Sequence, residues 1–154
     1  MLVLQHTGEL FATGAAPYSY RPEYQSLDIP KLFLQIAVEG VHIEALMDTG
    51  AMFLICSPEL VQHLHLRESE ALAQQTIVMR GESVQGTLHR VTLTLVAEVG
   101  DSLSIEVTAF VPNEAEDERF PSSFPCFLGL FGCLERLRFA IDPSPEMVYF
   151  GALA

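Results

Sequence analysis

Apolar and polar residues alternate along most of this chain, which is the pattern of β-strands that have one buried face. The segment KLFLQIAVE alternates in this way, and VHIEALM does so again directly after Glu39-Gly40, a pair that favours a turn. We therefore predict a β-hairpin in which His42, Glu44, Leu46 and Asp48 lie on one face of the second strand, opposite to its other residues. The positions predicted to face the core are Leu32, Leu34, Ile36, Val38, Val41, Ile43, Ala45 and Met47.

Two short helices are predicted among the strands. Ser57 is a favourable N-cap and Pro58 suits the first helical position, which predicts a helix over 58–66. A second helix of one or two turns is expected after Gly129. The segment 76–111 predicts three more strands, and a long acidic loop follows over 112–125. The predicted fold class is all-β, with closed or orthogonally packed, barrel-like sheets.

The chain length favours one main domain. At 154 residues, 49% of them hydrophobic, the chain is large enough to bury a core. The first 29 residues are rich in Pro and Tyr and lack periodicity, so we expect an extended arm over 1–29 and a domain over 30–154.

The charge of the chain excludes several kinds of partner. The net charge is −12, and one lysine and seven arginines form no basic cluster, so neither nucleic acid nor an anionic membrane is an expected partner. The first residues lack the features of a signal peptide, and we expect a soluble, cytoplasmic protein. Cys56, Cys126 and Cys133 lack metal-ligand spacing and are predicted to be buried thiols. His63-x-His65 does not predict a metal site either, and no cofactor is expected.

One acidic residue stands out at the end of the second strand of the hairpin. Asp48 begins the sequence Asp-Thr-Gly-Ala and is the only acidic residue between Glu44 and Glu59. A carboxylate in such apolar surroundings is costly unless its hydrogen bonds are satisfied or its charge is shared. It is therefore either an ordinary turn aspartate or a residue placed for chemistry.

The order of motifs resembles that of the aspartic proteases, and in particular the single-lobed, retropepsin-like branch with retroviral and bacterial members. The shared features are ALMDTGA at a strand end, a glycine-bearing hairpin MRGESVQG, and CFLGL before a short segment CLERLRFAID. The resemblance covers about residues 30–150. Asp-Thr-Gly alone is a weak signal, and the order of strands, hairpin and second glycine motif makes it specific.

The resemblance implies that Asp48 is the catalytic residue of an endopeptidase. Two carboxylates that share one proton act as base and acid on a water molecule, which is the established behaviour of aspartic proteases. Thr49 would bond the facing loop, and Gly50 would offer its N–H to the carboxylate. Only one Asp-Thr-Gly is present, and no comparable motif surrounds Asp28, Asp101, Asp117 or Asp142. The resemblance therefore implies a homodimer that joins one Asp48 from each subunit.

The resemblance also implies a binding site for an extended peptide. The hairpin MRGESVQG would be a flap that closes over the peptide, and Gly129 would lie behind the catalytic loop, where no side chain fits. The residues expected to contact substrate are Ala51, Gly81, Glu82, Ser83, Val84 and Gly86.

Two departures from the family pattern leave alternatives open. Met52 and Phe53 follow the motif where many relatives have a small polar residue, and Leu130 replaces an arginine that retroviral members often carry. One alternative is a retropepsin-fold dimerisation or peptide-binding module with weak or no turnover. Another is a zymogen that removes its arm, 1–29, by self-cleavage.

Overall fold

The computed structural model describes residues 2–22, 29–79, 81–113, 126–133 and 135–153. Residues 23–28 of the predicted arm and 114–125 of the acidic loop therefore lie outside the described residues. The described residues form one α-helix, α1 (Pro58–Leu64), one 3-10 helix (Glu68–Glu70) and eleven strands. The strands are β1 (Gly14–Arg21), β2 (Lys31–Val38), β3 (Val41–Asp48), β4 (Leu54–Ile55), β5 (Ala73–Met79), β6 (Glu82–Leu95), β7 (Val99–Gly100), β8 (Leu103–Pro112), β9 (Cys126–Gly129), β10 (Leu137–Asp142) and β11 (Met147–Ala152).

The strands pair into one sheet. Its order is β10-β11-β1-β2-β3-β9-β4-β8-β6-β5, while β7 pairs with β1 and β2 pairs additionally with β6. β3 and β9 are parallel, as are β4 and β8, and the other pairings are antiparallel. The mostly-β architecture confirms the predicted fold class, whereas closed or orthogonal packing of the sheets stays a prediction.

The hairpin that carries the Asp48 motif forms as predicted from β2 and β3. Glu39 and Gly40 both have positive φ, 47° and 79°, as a two-residue turn between twisted antiparallel strands requires. Across the hairpin Val38 pairs with Val41, and the register continues as far as Phe33 and Leu46, two residues before Asp48. The turn and this register set the course of β3, and Asp48 itself pairs with Gly129 of β9.

The two faces of this hairpin enter different apolar clusters. On one face Leu34, Ile36 and Val38 are fully buried in the main core together with Ala45, as the alternation predicts. The opposite face contributes to a second cluster, here called the site-side cluster. Its members are Phe33, Leu46, Ile55, Val84, Phe110 and Phe127. Because both faces are buried near Asp48, the sequence before it is apolar on both sides.

The first helix begins as predicted and ends two residues before position 66. The Ser57 hydroxyl accepts a hydrogen bond from the Leu60 N–H (3.2 Å), and Pro58 occupies the first turn. His65 ends the helix in the left-handed conformation, with φ of 49°. Among the described residues, no helix is long and apolar enough to cross a membrane.

The prediction of a second helix after Gly129 is wrong for the described residues, which form turns. The Cys133 N–H donates to the Leu130 carbonyl, and the Leu137 N–H donates to the Cys133 carbonyl before β10 begins. Gly132 lies within this short segment, and glycine disfavours helix. The apolar composition that suggested a helix instead reflects burial, since Leu130, Cys133 and Leu137 are all buried.

Part of the predicted N-terminal arm is a strand of the sheet. β1 pairs with β11 over Gly14–Pro17 and with β2 over Tyr18–Arg21, so it lies between them. The backbone is extended, as expected for the arm, and the boundary between residues 29 and 30 stays a prediction. Self-cleavage that removed 1–29 would take away a strand that links β11 to β2, which argues against the zymogen alternative.

The three cysteines are buried, as predicted. Burial raises the pKa of Cys56 well above its usual value, raises that of Cys126 to about 12 and raises that of Cys133 to about 11. Because the thiolate is the nucleophilic form, thiols with such pKa values are protonated and unreactive at neutral pH.

A buried histidine makes stability depend on pH. His89 is 3% exposed and its Nε2 shares a hydrogen bond with the Thr87 hydroxyl (2.9 Å). Burial lowers the pKa of His89, and the Glu70 carboxylate opposes this in part. The unfolded chain therefore takes up this proton before the folded chain does, and stability is lost as the pH falls below the usual histidine pKa of about 6.5.

We expect the melting temperature to fall between about pH 7.5 and about pH 5, and to fall less in His89→Gln. Differential scanning calorimetry at both pH values measures this difference. His63→Gln is the control, because His63 is exposed on α1, where its ring bonds the Glu59 carbonyl. An equal fall in His89→Gln and wild type would contradict the assignment.

Candidate active site

Asp48 lies at the point where β3 leaves the sheet. It pairs with Gly129 of β9 in the parallel register, and its carbonyl accepts a hydrogen bond from the Leu130 N–H (2.9 Å). The Asp48 Oδ1 atom accepts from the Gly50 N–H at 2.8 Å. The backbone of Asp48 is therefore fixed by β9, and its carboxylate is oriented by the turn that follows.

The Asp-Thr-Gly turn is open to solvent in the single chain. Asp48 is half-buried, whereas Thr49 and Gly50 are exposed. Met52 is 55% exposed, although it is a large apolar residue. The contact of Thr49 with a facing loop stays a prediction. Because the turn is exposed, the Thr49 hydroxyl is accessible to such a loop.

Gly129 lies directly against the loop that follows the motif. A Cβ atom at Gly129 would collide with the carbonyl oxygen of Phe53 and lie 2.8 Å from that of Ala51. The Phe131 N–H donates to the Ala51 carbonyl at 3.2 Å, which ties the same loop to the turn after β9. Only glycine permits this close backbone approach.

A pocket of about 370 Å³ opens beside the Asp48 carboxylate. Its apolar walls are formed by the loop after the motif, by the end of β5 and by residues of the site-side cluster. The residues that line it are Lys31, Asp48, Gly50, Ala51, Met52, Phe53, Ile55, Ile77, Val78, Met79 and Phe127. A volume of this size accommodates a large amino-acid side chain, and a mostly apolar pocket with a few polar groups is typical of a ligand site.

The predicted flap hairpin is formed by β5 and β6, but the residues singled out on it do not line this pocket. The lining residues come from β5, whereas the predicted set comes from the turn and β6, and comprises Gly81, Glu82, Ser83, Val84 and Gly86. Gly81 has φ of 85° and makes the turn. Their role in substrate binding stays a prediction, as does movement of the hairpin.

Two of these residues have packing roles. Val84 is buried in the site-side cluster and pairs across the hairpin with Ile77, which lines the pocket. A Cβ at Gly86 would lie 2.5 Å from the ring of Phe110, so Gly86 allows β6 to cross that ring. Both residues support the pocket wall from behind.

The sequence analysis missed several pocket residues, although the alternation contained a signal for some of them. Lys31 has the same parity as Phe33, and Met79 has the same parity as Ile77. Phe127 precedes the glycine motif by two residues, where β9 passes beside β3. These residues come together through the pairing of strands that are far apart in the sequence.

Among the described residues, no cluster of three or more His, Cys, Asp or Glu side chains is suited to a metal ion. The Ser57 hydroxyl accepts the hydrogen bond that caps α1, so it already has a structural role. Of the groups described here, the Asp48 carboxylate is the one that combines a pocket, an oriented oxygen and access to solvent.

Comparison with known proteins agrees with this geometry. A family model described as "Aspartyl protease" matches residues 34–120, more than half of the chain. Comparison with curated proteins finds no match. Among solved structures, the chain is similar to a retropepsin-like aspartic protease from Rickettsia conorii, with 19% identity, a TM-score of 0.56, and coverage of 91% of this chain and 94% of that chain. The retroviral protease-like domain of Ddi1 from Leishmania major matches with 11% identity, a TM-score of 0.42, and coverage of 80% of this chain and 94% of that chain. The chain therefore belongs to the aspartyl protease family and has a retropepsin-like fold.

Proposed function

We propose that this protein is an aspartic endopeptidase whose catalytic centre forms between the Asp48 residues of two identical subunits. The observation that carries the proposal is the position of Asp48: its carboxylate is oriented by the Gly50 N–H and lies beside a pocket large enough for a side chain. Family membership supports the same chemistry. The described part of one chain supplies one of the two carboxylates that this chemistry needs.

The second carboxylate comes from a second copy in this proposal. Two carboxyl groups at hydrogen-bonding distance do not both ionise, so the pair holds one proton. The ionised oxygen removes a proton from water, whose oxygen attacks the scissile carbonyl carbon. The protonated partner donates its proton to the carbonyl oxygen, which gives a gem-diol. As the C–N bond breaks, the first carboxyl passes the proton that it took from water to the leaving nitrogen, and the partner takes back a proton from a gem-diol hydroxyl. No metal or covalent intermediate is required.

The substrate in this proposal is an extended peptide. It would lie between the Asp48 loop and the β5–β6 hairpin, with one side chain in the pocket and its main chain bonded to strand edges. The apolar walls formed by Phe53, Ile77 and Phe127 favour a large apolar side chain at that position. The hairpin would act as a flap that excludes water around the scissile bond.

The alternative is a peptide-binding module with weak or no turnover. One observation favours it: a single chain already has a pocket beside Asp48, whereas catalysis needs a second carboxylate. A chain that stayed monomeric would still bind a peptide side chain. The oligomeric state therefore separates the two functions.

We expect peptidase activity per chain to rise with protein concentration in step with the fraction of dimer. Mass spectrometry of a digested peptide mixture measures the activity, and analytical ultracentrifugation over the same concentrations measures the dimer. Activity that stays constant per chain down to concentrations at which the protein is monomeric would contradict the shared site. Peptide binding without cleavage at any concentration would support the module.

A further inference from the structure

Among the described residues that line the pocket, Lys31 is the one cation, Asp48 is the one acid and the others are apolar. It is the one lysine in a chain of net charge −12. The remaining lining residues that the structure describes are glycine, alanine and seven larger apolar side chains. A charge in such surroundings interacts more strongly with a ligand than a charge on an open surface does.

The fold places Lys31 and the Asp48 carboxylate in the same pocket. Lys31 is two residues before Phe33, so both side chains lie on the face of β2 that contributes to the site-side cluster. Phe33 pairs with Leu46 in the β2–β3 register. That register ends two residues short of Lys31 and of Asp48, and both of these residues line the pocket.

We propose that Lys31 is a specificity residue that selects peptides with an acidic side chain close to the residue in the pocket. The inference rests on the proposed peptide-binding function of the same site. A Glu or Asp carboxylate directly over Asp48 would meet a like charge. The preference therefore falls at a neighbouring substrate position, on the Lys31 side of the pocket.

Two features limit the size of this preference. Lys31 has an interaction in the unliganded chain, so a substrate carboxylate would join or replace its present partner. The net charge of −12 also repels acidic peptides as a whole. The preference therefore concerns matched peptides that differ at one position, and it weakens as salt screens the charges.

Pairs of peptides with Glu or the isosteric Gln at each position beside the pocket-filling residue test the proposal. We expect wild type to show a higher kcat/KM for the Glu peptide at one such position, mainly through KM. Lys31→Met keeps the length of the side chain without its charge and should reduce the Glu-to-Gln ratio roughly three- to tenfold. Lys31→Arg restores the charge and should retain the preference.

Arg90→Gln is the matched control, because Arg90 is an exposed cation on β6 that does not line the pocket. It removes one positive charge from the chain and should leave the ratio unchanged. An equal decrease in Arg90→Gln would show that net charge, and not Lys31, sets the preference, which would overturn the proposal.

The same peptides bound to Asp48→Asn separate this inference from the proposed function. A Glu preference in binding that depends on Lys31, without cleavage by wild type, would support Lys31 as a recognition residue and contradict the peptidase. Cleavage with a ratio that Lys31→Met does not change would overturn the inference and leave the peptidase. If Lys31→Met shifted the pH profile of activity equally for both peptides, the charge of Lys31 would act on Asp48 and not on the substrate carboxylate. That result would also overturn the inference.

Discussion

Asp48→Asn is expected to reduce peptidase activity by roughly three orders of magnitude, within the range that general acid–base groups contribute. Asparagine has nearly the same shape as aspartate and its oxygen still accepts the Gly50 N–H, so the turn is preserved. It neither takes a proton from water nor holds one for transfer. The rate of cleavage of a peptide substrate measures the loss, and the melting temperature should change little.

Asp142→Asn is the matched control for this variant. Asp142 also accepts a hydrogen bond from the N–H two residues further on, that of Ser144, at 3.0 Å. It lies in the β10–β11 hairpin and does not line the pocket. We expect this variant to retain full activity. Equal losses in the two variants would mean that the effect is structural, and full activity of Asp48→Asn would refute the catalytic assignment.

The same variant tests whether the site is shared between subunits. If one part of wild type is mixed with nine parts of Asp48→Asn, random pairing puts about nine in ten wild-type subunits into mixed dimers. Those dimers carry one carboxylate, so activity per wild-type chain should fall to roughly a tenth. After equilibration, unchanged activity per wild-type chain would show that each chain is catalytically complete.

The local features of the site could be predicted because they depend on short-range rules. The alternation before Asp48 fixes which face each residue of β2 and β3 takes, and Glu39-Gly40 fixes the register. Position 48 at the strand end follows from these neighbours in sequence, whereas the Gly50 hydrogen bond was predicted through the resemblance to a family. Gly129 was identified through the resemblance to a family, and its contact with the catalytic loop depends on a parallel pairing of distant strands.

The features that could not be predicted depend on contacts between distant segments. The composition after Gly129 is compatible with a helix, and burial against the core, together with Gly132, produces turns instead. On the β5–β6 hairpin the sequence identifies the turn glycines, but the pairing of the strands decides that Ile77 and Met79 face the pocket. Lys31 carries no motif, and the fold of the chain brings it into the pocket that Asp48 also lines.

Gly129→Ala is expected to destabilise the fold by about 3 kcal/mol or more, because one added methyl group would collide with the backbone of Phe53 and crowd that of Ala51. For a chain of this size such a loss lowers the melting temperature by roughly 10 °C. The catalytic loop would have to move away from β9, so the folded fraction should also lose activity.

Gly50→Ala is the matched control for stability. Among the described residues, its Cβ would meet only Asp48 Oδ1, at an ordinary contact distance of 3.4 Å, and Gly50 is exposed. We expect its free energy of unfolding to stay within roughly 1 kcal/mol of wild type. Thermal unfolding followed by circular dichroism compares the two. Equal stability of Gly129→Ala and Gly50→Ala would mean that the loop tolerates displacement, and the rigid support of Asp48 by β9 would then have to be abandoned.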